Sequence, residues 1–235
     1  MSTQICLGFT DDQWKVLRGR LIKNDVLQGD EKAWDCAIKV LNRRIRERFL
    51  SCIEALETTD SPKHVSMTSN APADCSTLPD YGSKRIVVPG FAIMALCSLL
   101  LETLQSFRDA KRKASKSSDP CIRPKMSSNG LIKDFLKRPS FGEAFKDPMM
   151  AKSFVCGIRN GILHEAETRR WIIKRDKPQG RICERAGSQY VLNRTMFYQA
   201  VRQEFDSYLG DLGNSNNVEL RKSFVEKMDN IVEKC

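Results

Sequence analysis

The stretch DPMMAKSFVCGIRNGILHEAE, residues 147–167, decides the fold. Asp147 followed by Pro148 reads as an N-cap and a first-turn proline, so a helix is predicted to start there and to run to about Thr168. At about 100° per residue, Val155, Ile158, Ile162, Leu163 and Ala166 share one face and Arg159 projects from its middle. A guanidinium in that position needs a partner. On another side, Ser153, Gly157, Gly161 and His164 fall within a band of about 80°, with Asn160 beside them. Three small side chains in a row let a second backbone approach closely. From geometry two readings stay open: a core helix with a snorkelling arginine and a satisfied histidine, or a site.

Helical patterning extends outward from this segment in both directions. Thr10 and Gln13 have capping-box spacing, and Trp14, Leu17, Leu21 and Ile22 predict a first helix from Asp11 to about Lys23. A second helix from about Asp30 carries Trp34, Ile38, Leu41, Ile45, Phe49, Ile53 and Leu56 on one stripe. Periodicity stops over about 58–90, resumes in a strongly apolar third helix from about Phe91 to Lys113, and stops again over about 114–130. Short helical pieces are predicted around Leu131–Leu136 and Phe141–Phe145. Past the 147–167 segment, RRWIIKRDKPQGRICERAGSQYVLN alternates like strands broken by DKPQG and AGSQ, which predicts a small β-hairpin or three short strands. Asn193 caps a helix through about Leu209 with Phe197, Val201, Phe205 and Tyr208 inward, and Val218–Val232 reads as a final amphipathic helix. The expected fold is mainly α, one domain over residues 1–235.

Composition narrows the function. With 41% hydrophobic residues in 235, the chain can bury a core. A net charge of +10, from 39 Lys and Arg against 29 acids, favours polyanionic partners. The run Phe91–Leu101 is about half the ~20 residues a membrane span needs, and MSTQICLGFTDDQW lacks the form of a signal peptide. A soluble, cytoplasmic protein with free thiols and no membrane partner is expected. Among nine cysteines the closest pair is Cys36 and Cys52, and His64 and His164 are the only histidines, so no metal site is expected. No P-loop, G-x-G-x-x-G turn or G-x-S-x-G elbow occurs, and no cofactor is expected. Cys156 and His164, eight positions apart on one helix, are about 12 Å apart along its axis and cannot form a nucleophile–base pair.

RNGILH, Arg159 to His164, resembles the R-N-x-x-x-H form of the R-x4-6-H signature of the HEPN superfamily, helical domains that include metal-independent endoribonucleases of toxin, phage-defence and RNA-processing systems. The resemblance spans about 30–210 and is specific only at Arg159–His164. It implies a HEPN-like helical bundle and a homodimer in which two copies of the motif face one cleft. RNA carries its own nucleophile, the 2′-hydroxyl, so a histidine to move protons and an arginine to hold the phosphate suffice. His164 and Arg159 would take those roles, Asn160 would orient the phosphate or the imidazole, and the row Ser153, Gly157, Gly161 would seat the second chain. Glu102 resembles the acid on the preceding helix of many HEPN domains and would position Arg159; an ordinary ion-pair partner is the other reading. One HEPN subgroup carries a modified tyrosine two residues after the histidine; Ala166 stands there, so that control is not expected. Lys111, Arg112 and Lys113 after the third helix, and Arg169, Arg170, Lys174 and Arg175 after the motif, are the expected RNA contacts, each also readable as solvated charge. Trp171 either stacks a base or forms the buried side of a strand. The expected function is an RNA-cleaving homodimer, with a cognate antitoxin or defence-system partner as a further expectation. The alternative is a non-catalytic HEPN-like dimer that binds RNA or nucleotides or acts as a scaffold.

Overall fold

The computed structural model describes residues 3–24, 26–58, 89–109, 127–175 and 180–233. Nine α-helices and seven short strands are formed by these residues, and the helices carry the architecture. Helix α1, Asp11–Leu21, begins with the capping box: Gln13 N–H donates to Thr10 Oγ1 and Thr10 N–H to Gln13 Oε1. Strands β1 (Gln4–Cys6) and β2 (Phe9–Thr10) precede it, and β3 (Ile22–Lys23) pairs with β4 (Val26–Leu27) after it. The first helix therefore stops short of Lys23, because Ile22 turns to extended backbone.

The second predicted helix is a rod with a defect. Helix α2, Glu31–Ile45, is capped by Asp30, passes into a wide π-turn at Arg46–Leu50, and continues as α3, Ser51–Thr58. A π-turn holds more residues than an α-turn and shifts the phase of everything after it. Hence Leu50, not Phe49, follows Ile45 into the core, and Phe49 sits half-buried at the edge.

Helix α4, Pro89–Arg108, runs through the centre and packs against α3, against α5 (Ser128–Phe135), and against α8 (Arg194–Gly213) and α9 (Val218–Val232). It is long and apolar enough to cross a membrane, but 61% of its apolar window is buried inside the fold, the situation of a core helix. A 3₁₀ segment at Pro139–Phe145 leads to the motif helix: α6 (Pro148–Phe154), a second π-turn (Val155–Asn160) and α7 (Gly161–Glu165). Three strands follow, β5 (Trp171–Lys174), β6 (Cys183–Ala186) and β7 (Gln189–Asn193), in the order β5-β7-β6. Strands β6 and β7 form the expected hairpin, and β5 joins β7 in parallel, Trp171 opposite Tyr190. Asn193 caps α8 by accepting from Met196 N–H at 3.1 Å.

The core extends beyond residues 30–210 at both ends. Trp14 of α1 packs on Phe224 of α9 and donates from Nε1 to Asp229 at 2.9 Å, where Arg18 also binds. In the middle, Phe141, Phe145, Phe154 and Phe197 form one aromatic cluster, Phe154 stacked on Phe197 at 5.1 Å.

One buried charge ties the helices together. Glu204 of α8, 3% exposed, accepts from Ser140 N–H and Arg138 Nε at 3.0 Å each and lies 3.9 Å from Arg108 of α4. Burial pushes its carboxyl up, but these donors outweigh burial and hold it below the usual carboxylate range. Such a group stabilises the fold fully above its unfolded pKa of about 4.3 and loses that contribution as pH falls through the folded value. Glu204→Ala should cost about 3–5 kcal/mol at pH 7 by removing the buried acceptor of Arg138 and Ser140 and leaving Arg108 with Asp211 alone, at 3.5 Å. Glu204→Gln should flatten the loss of stability below about pH 4.3. Urea unfolding across pH 3–7 measures both; a Gln variant with an unaltered acid limb would show that Glu204 does not carry the effect.

Candidate functional site

The motif helix opens as its sequence dictates: Asp147 accepts from Met149 N–H at 2.8 Å and Pro148 occupies the first turn. It then departs from the regular wheel. Residues Val155–Asn160 form the π-turn, so Arg159 and Asn160 sit inside a widened turn, and the helix ends at Ala166, whose φ of 54° is left-handed. The predicted end near Thr168 is corrected to Glu165, since the left-handed cap sends the chain back across the helix.

Arg159 finds the partner that its apolar surroundings demand. Its side chain is 17% exposed; Nη1 donates to Asn160 Oδ1 at 2.9 Å and Nη2 to Glu102 Oε2 at 3.5 Å. Ser128, in the first turn of α5, donates to the other Glu102 oxygen at 2.7 Å. Arg159 Nε is buried without a hydrogen-bond partner. Ser128, Glu102, Arg159 and Asn160 thus form one polar chain across α5, α4 and the π-turn. Three of these four had been singled out in the sequence. Ser128 had not: it falls in the stretch of about 114–130 where helical periodicity stops, and the 26 positions separating it from Glu102 carry no pattern that pairs them.

His164 stands apart from that chain. It is exposed and makes no hydrogen bond with the described residues, so it is not the satisfied core histidine of the packing reading. Beside it, Arg169 binds Glu165 through Nε and Nη2; this pairing, with a smaller pull from His164, holds the Glu165 carboxyl below its ordinary range.

The row of small residues is occupied, which corrects its assignment as the seat of a second chain. Trp171, 2% exposed, lies across it and donates from Nε1 to Ser153 O and Oγ, both at 3.2 Å. A Cβ at Gly157 would stand 2.5 Å from the Trp171 ring, and one at Gly161 would collide with the Glu167 carbonyl. The close approach these glycines permit is made within one chain. For the same reason Trp171 stacks on Tyr190 at 4.8 Å and offers no face to a base.

The expected RNA contacts divide. Lys111, Arg112 and Lys113, like His64, lie outside the described residues. Arg169 is tied to Glu165, and Arg175 donates to the Glu57 carbonyl at 2.9 Å, while both side chains stay exposed. Arg170 and Lys174 are exposed, and among the described residues no ion pair of their side chains holds them back from a phosphate. Among the described residues no group of His, Cys, Asp and Glu could hold a metal ion, and Cys36, Cys52 and Cys156 are exposed free thiols. Comparison with protein-family models, curated proteins and solved structures gave no match to this chain.

The packing on Gly157 and Gly161 gives a direct test. Gly157→Ala and Gly161→Ala should each destabilise the fold by about 1–3 kcal/mol through overpacking. Gly161 should suffer more, because the obstacle there is backbone. Denaturation midpoints independent of protein concentration would fit this origin; a midpoint shift that vanishes at high concentration would return the row to an interface.

Proposed function

We propose that the chain is a HEPN-like, metal-independent endoribonuclease that works as a homodimer. The observation that supports this most is the polar chain ending in Arg159 and Asn160, set inside a π-turn, with an exposed and unengaged His164 on the next turn. Wide turns of this kind recur at functional sites. Glu102 and Asn160 fix the guanidinium, and an exposed imidazole is free to exchange protons.

The reaction follows from the substrate. His164 takes the proton of a ribose 2′-hydroxyl; the O2′–P bond forms as the P–O5′ bond breaks; the imidazolium returns a proton to the departing O5′. Arg159 stabilises the charge that builds on the phosphorane-like transition state. Products are a 2′,3′-cyclic phosphate and a 5′-hydroxyl. Since Arg159 and His164 share no contact, each serves a site completed by the other copy. With the glycine row filled by Trp171, the second copy would meet the face bearing His164, where Leu163 is 36% exposed. Arg170 and Lys174 would follow the RNA backbone. The setting is a cytoplasmic toxin or defence system with a cognate antitoxin or partner.

A second reading, a non-catalytic HEPN-like RNA-binding or scaffold protein, draws support from one observation: both Nη atoms of Arg159 are already engaged within the chain.

Cleavage of total cellular RNA in the presence of EDTA separates the two. His164→Ala and Arg159→Ala should each lower cleavage about 100-fold or more with the fold and RNA binding retained. Mixing the two inactive variants should restore part of the activity through heterodimers. Cleavage that requires Mg²⁺, or that His164→Ala leaves unchanged, would overturn the mechanism and leave the scaffold reading. Light scattering adds a separate check: the protein should be a dimer at micromolar concentration, and Leu163→Asp should make it a monomer.

A further inference from the structure

We infer that the cleft on the far side of Glu102 is a pocket for one nucleobase of single-stranded RNA, with guanine preferred. The identity of the ligand rests on the ribonuclease reading; the pocket rests on the geometry below.

The cleft has a volume of about 280 Å³ and is lined by the apolar Phe49, Leu99 and Leu131 together with Glu102, Thr103 and Lys227. Pockets that engulf whole drug-sized ligands run from about 300 to 1,000 Å³, so this one suits a fragment the size of a base. Phe49 reaches it because the π-turn at Arg46–Leu50 hands the core position to Leu50 and leaves the phenyl ring half-buried at the edge. An aromatic ring flanked by aliphatic side chains is the kind of surface on which bases stack.

Polarity then selects among bases. The Thr103 hydroxyl spends its proton on the Leu99 carbonyl at 2.8 Å and offers only lone pairs to a ligand. The Glu102 carboxylate also only accepts, and Ser128 holds one of its oxygens at 2.7 Å, which limits its rotation. Glu102 and Thr103 therefore ask for donors, while the Lys227 ammonium in the same lining is itself a donor and asks for an acceptor such as the O6 of guanine. Guanine presents two adjacent donors, N1–H and the 2-amino group, that a carboxylate can take together. Adenine and cytosine present one amino group beside an acceptor, and uracil one N–H between two acceptors. Location supports the same assignment: Glu102 lines the cleft with its side chain while its Oε2 lies 3.5 Å from Arg159 Nη2. A base in the cleft and a phosphate at Arg159 therefore belong to the same or neighbouring nucleotides.

The test uses ligands that cannot be cleaved. Anisotropy is measured for 2′-O-methyl uridine hexamers carrying one guanine, adenine or cytosine, against all-uridine. One guanine should tighten binding roughly tenfold, the effect of a charge-assisted hydrogen bond, with adenine and cytosine in between. Glu102→Gln should abolish the preference. Leu99→Trp, which fills the cleft from a side chain already 39% exposed, should weaken every base-dependent gain without opening the core. Phe49→Ala should do the same, and the Leu99 variant decides the matter where loss of Phe49 unfolds the chain. Equal affinity for all four hexamers, no binding, or a guanine preference untouched by Leu99→Trp would overturn the inference. A protein that cleaves RNA without base preference refutes the pocket and keeps the ribonuclease; a protein with base preference and no cleavage keeps the pocket and refutes the ribonuclease.

Discussion

The missing side chains of Gly157 and Gly161 are what the motif region depends on. Because no Cβ intervenes at Gly157, the Nε1 edge of the Trp171 indole reaches the helix, hydrogen-bonds to Ser153 and meets Phe154 edge-on at 5.9 Å. That contact seats β5, and β5 sets the register of β7 through the pairing of Trp171 with Tyr190. Strand β7 runs straight into α8, whose Phe197 stacks on Phe154 of α6. Helix, sheet and next helix thus close on one another through a path that starts at two glycines. The other side of the same helix faces α4, where Arg159 meets Glu102. Helix and neighbours are clamped from two sides, and the spacing between those sides is fixed by the close approach of Trp171.

The π-turn at Val155–Asn160 widens the helix at the point where the tryptophan lies on one side and the guanidinium reaches out on the other. The π-turn at Arg46–Leu50 does comparable work in the long second helix, rotating Phe49 out and Leu50 in. A π-turn is a rare interruption of an α-helix. Both turns are packed into the core: Val155, Ile158 and Leu50 are essentially fully buried.

These two turns also mark where sequence reading lost accuracy. Elements with a strong local signal were legible: the Thr10–Gln13 capping box, the Asp147–Pro148 start, the Asn193 cap, and the inward stripe of Phe197, Val201, Phe205 and Tyr208. Each is written within a few residues. A π-turn has no such signature, so a wheel drawn at a constant angle placed Phe49 in the core and opened the glycine row to a second chain. The partner of that row, Trp171, is 14 positions beyond Gly157 on a different element, and only tertiary structure brings it back. The β1–β2 and β3–β4 ladders, of two or three residues per strand, are too short to show alternation. In the site, Arg159 announced itself as a charge on an apolar face that required a partner, and the family resemblance pointed to Glu102; Ser128 was not legible, because it falls in the stretch of about 114–130 that shows no helical periodicity.

Arg159 and Glu102 together carry no net charge, and this separates two tasks that a polyanion-binding protein must perform. A neutral pair exerts little pull at distances beyond the Debye length of about 8 Å, so under the ribonuclease reading long-range attraction for RNA falls to exposed cations such as Arg170 and Lys174, and it weakens with salt. Within contact distance the order reverses. A guanidinium locked by a carboxylate and an amide loses little rotamer freedom on meeting a phosphate, whereas a free lysine must give up most of its own. Under the ribonuclease reading, attraction and alignment are therefore supplied by different residues: the surface cations set how fast RNA arrives, and the Glu102–Arg159–Asn160 chain sets how well the phosphate is held once it does.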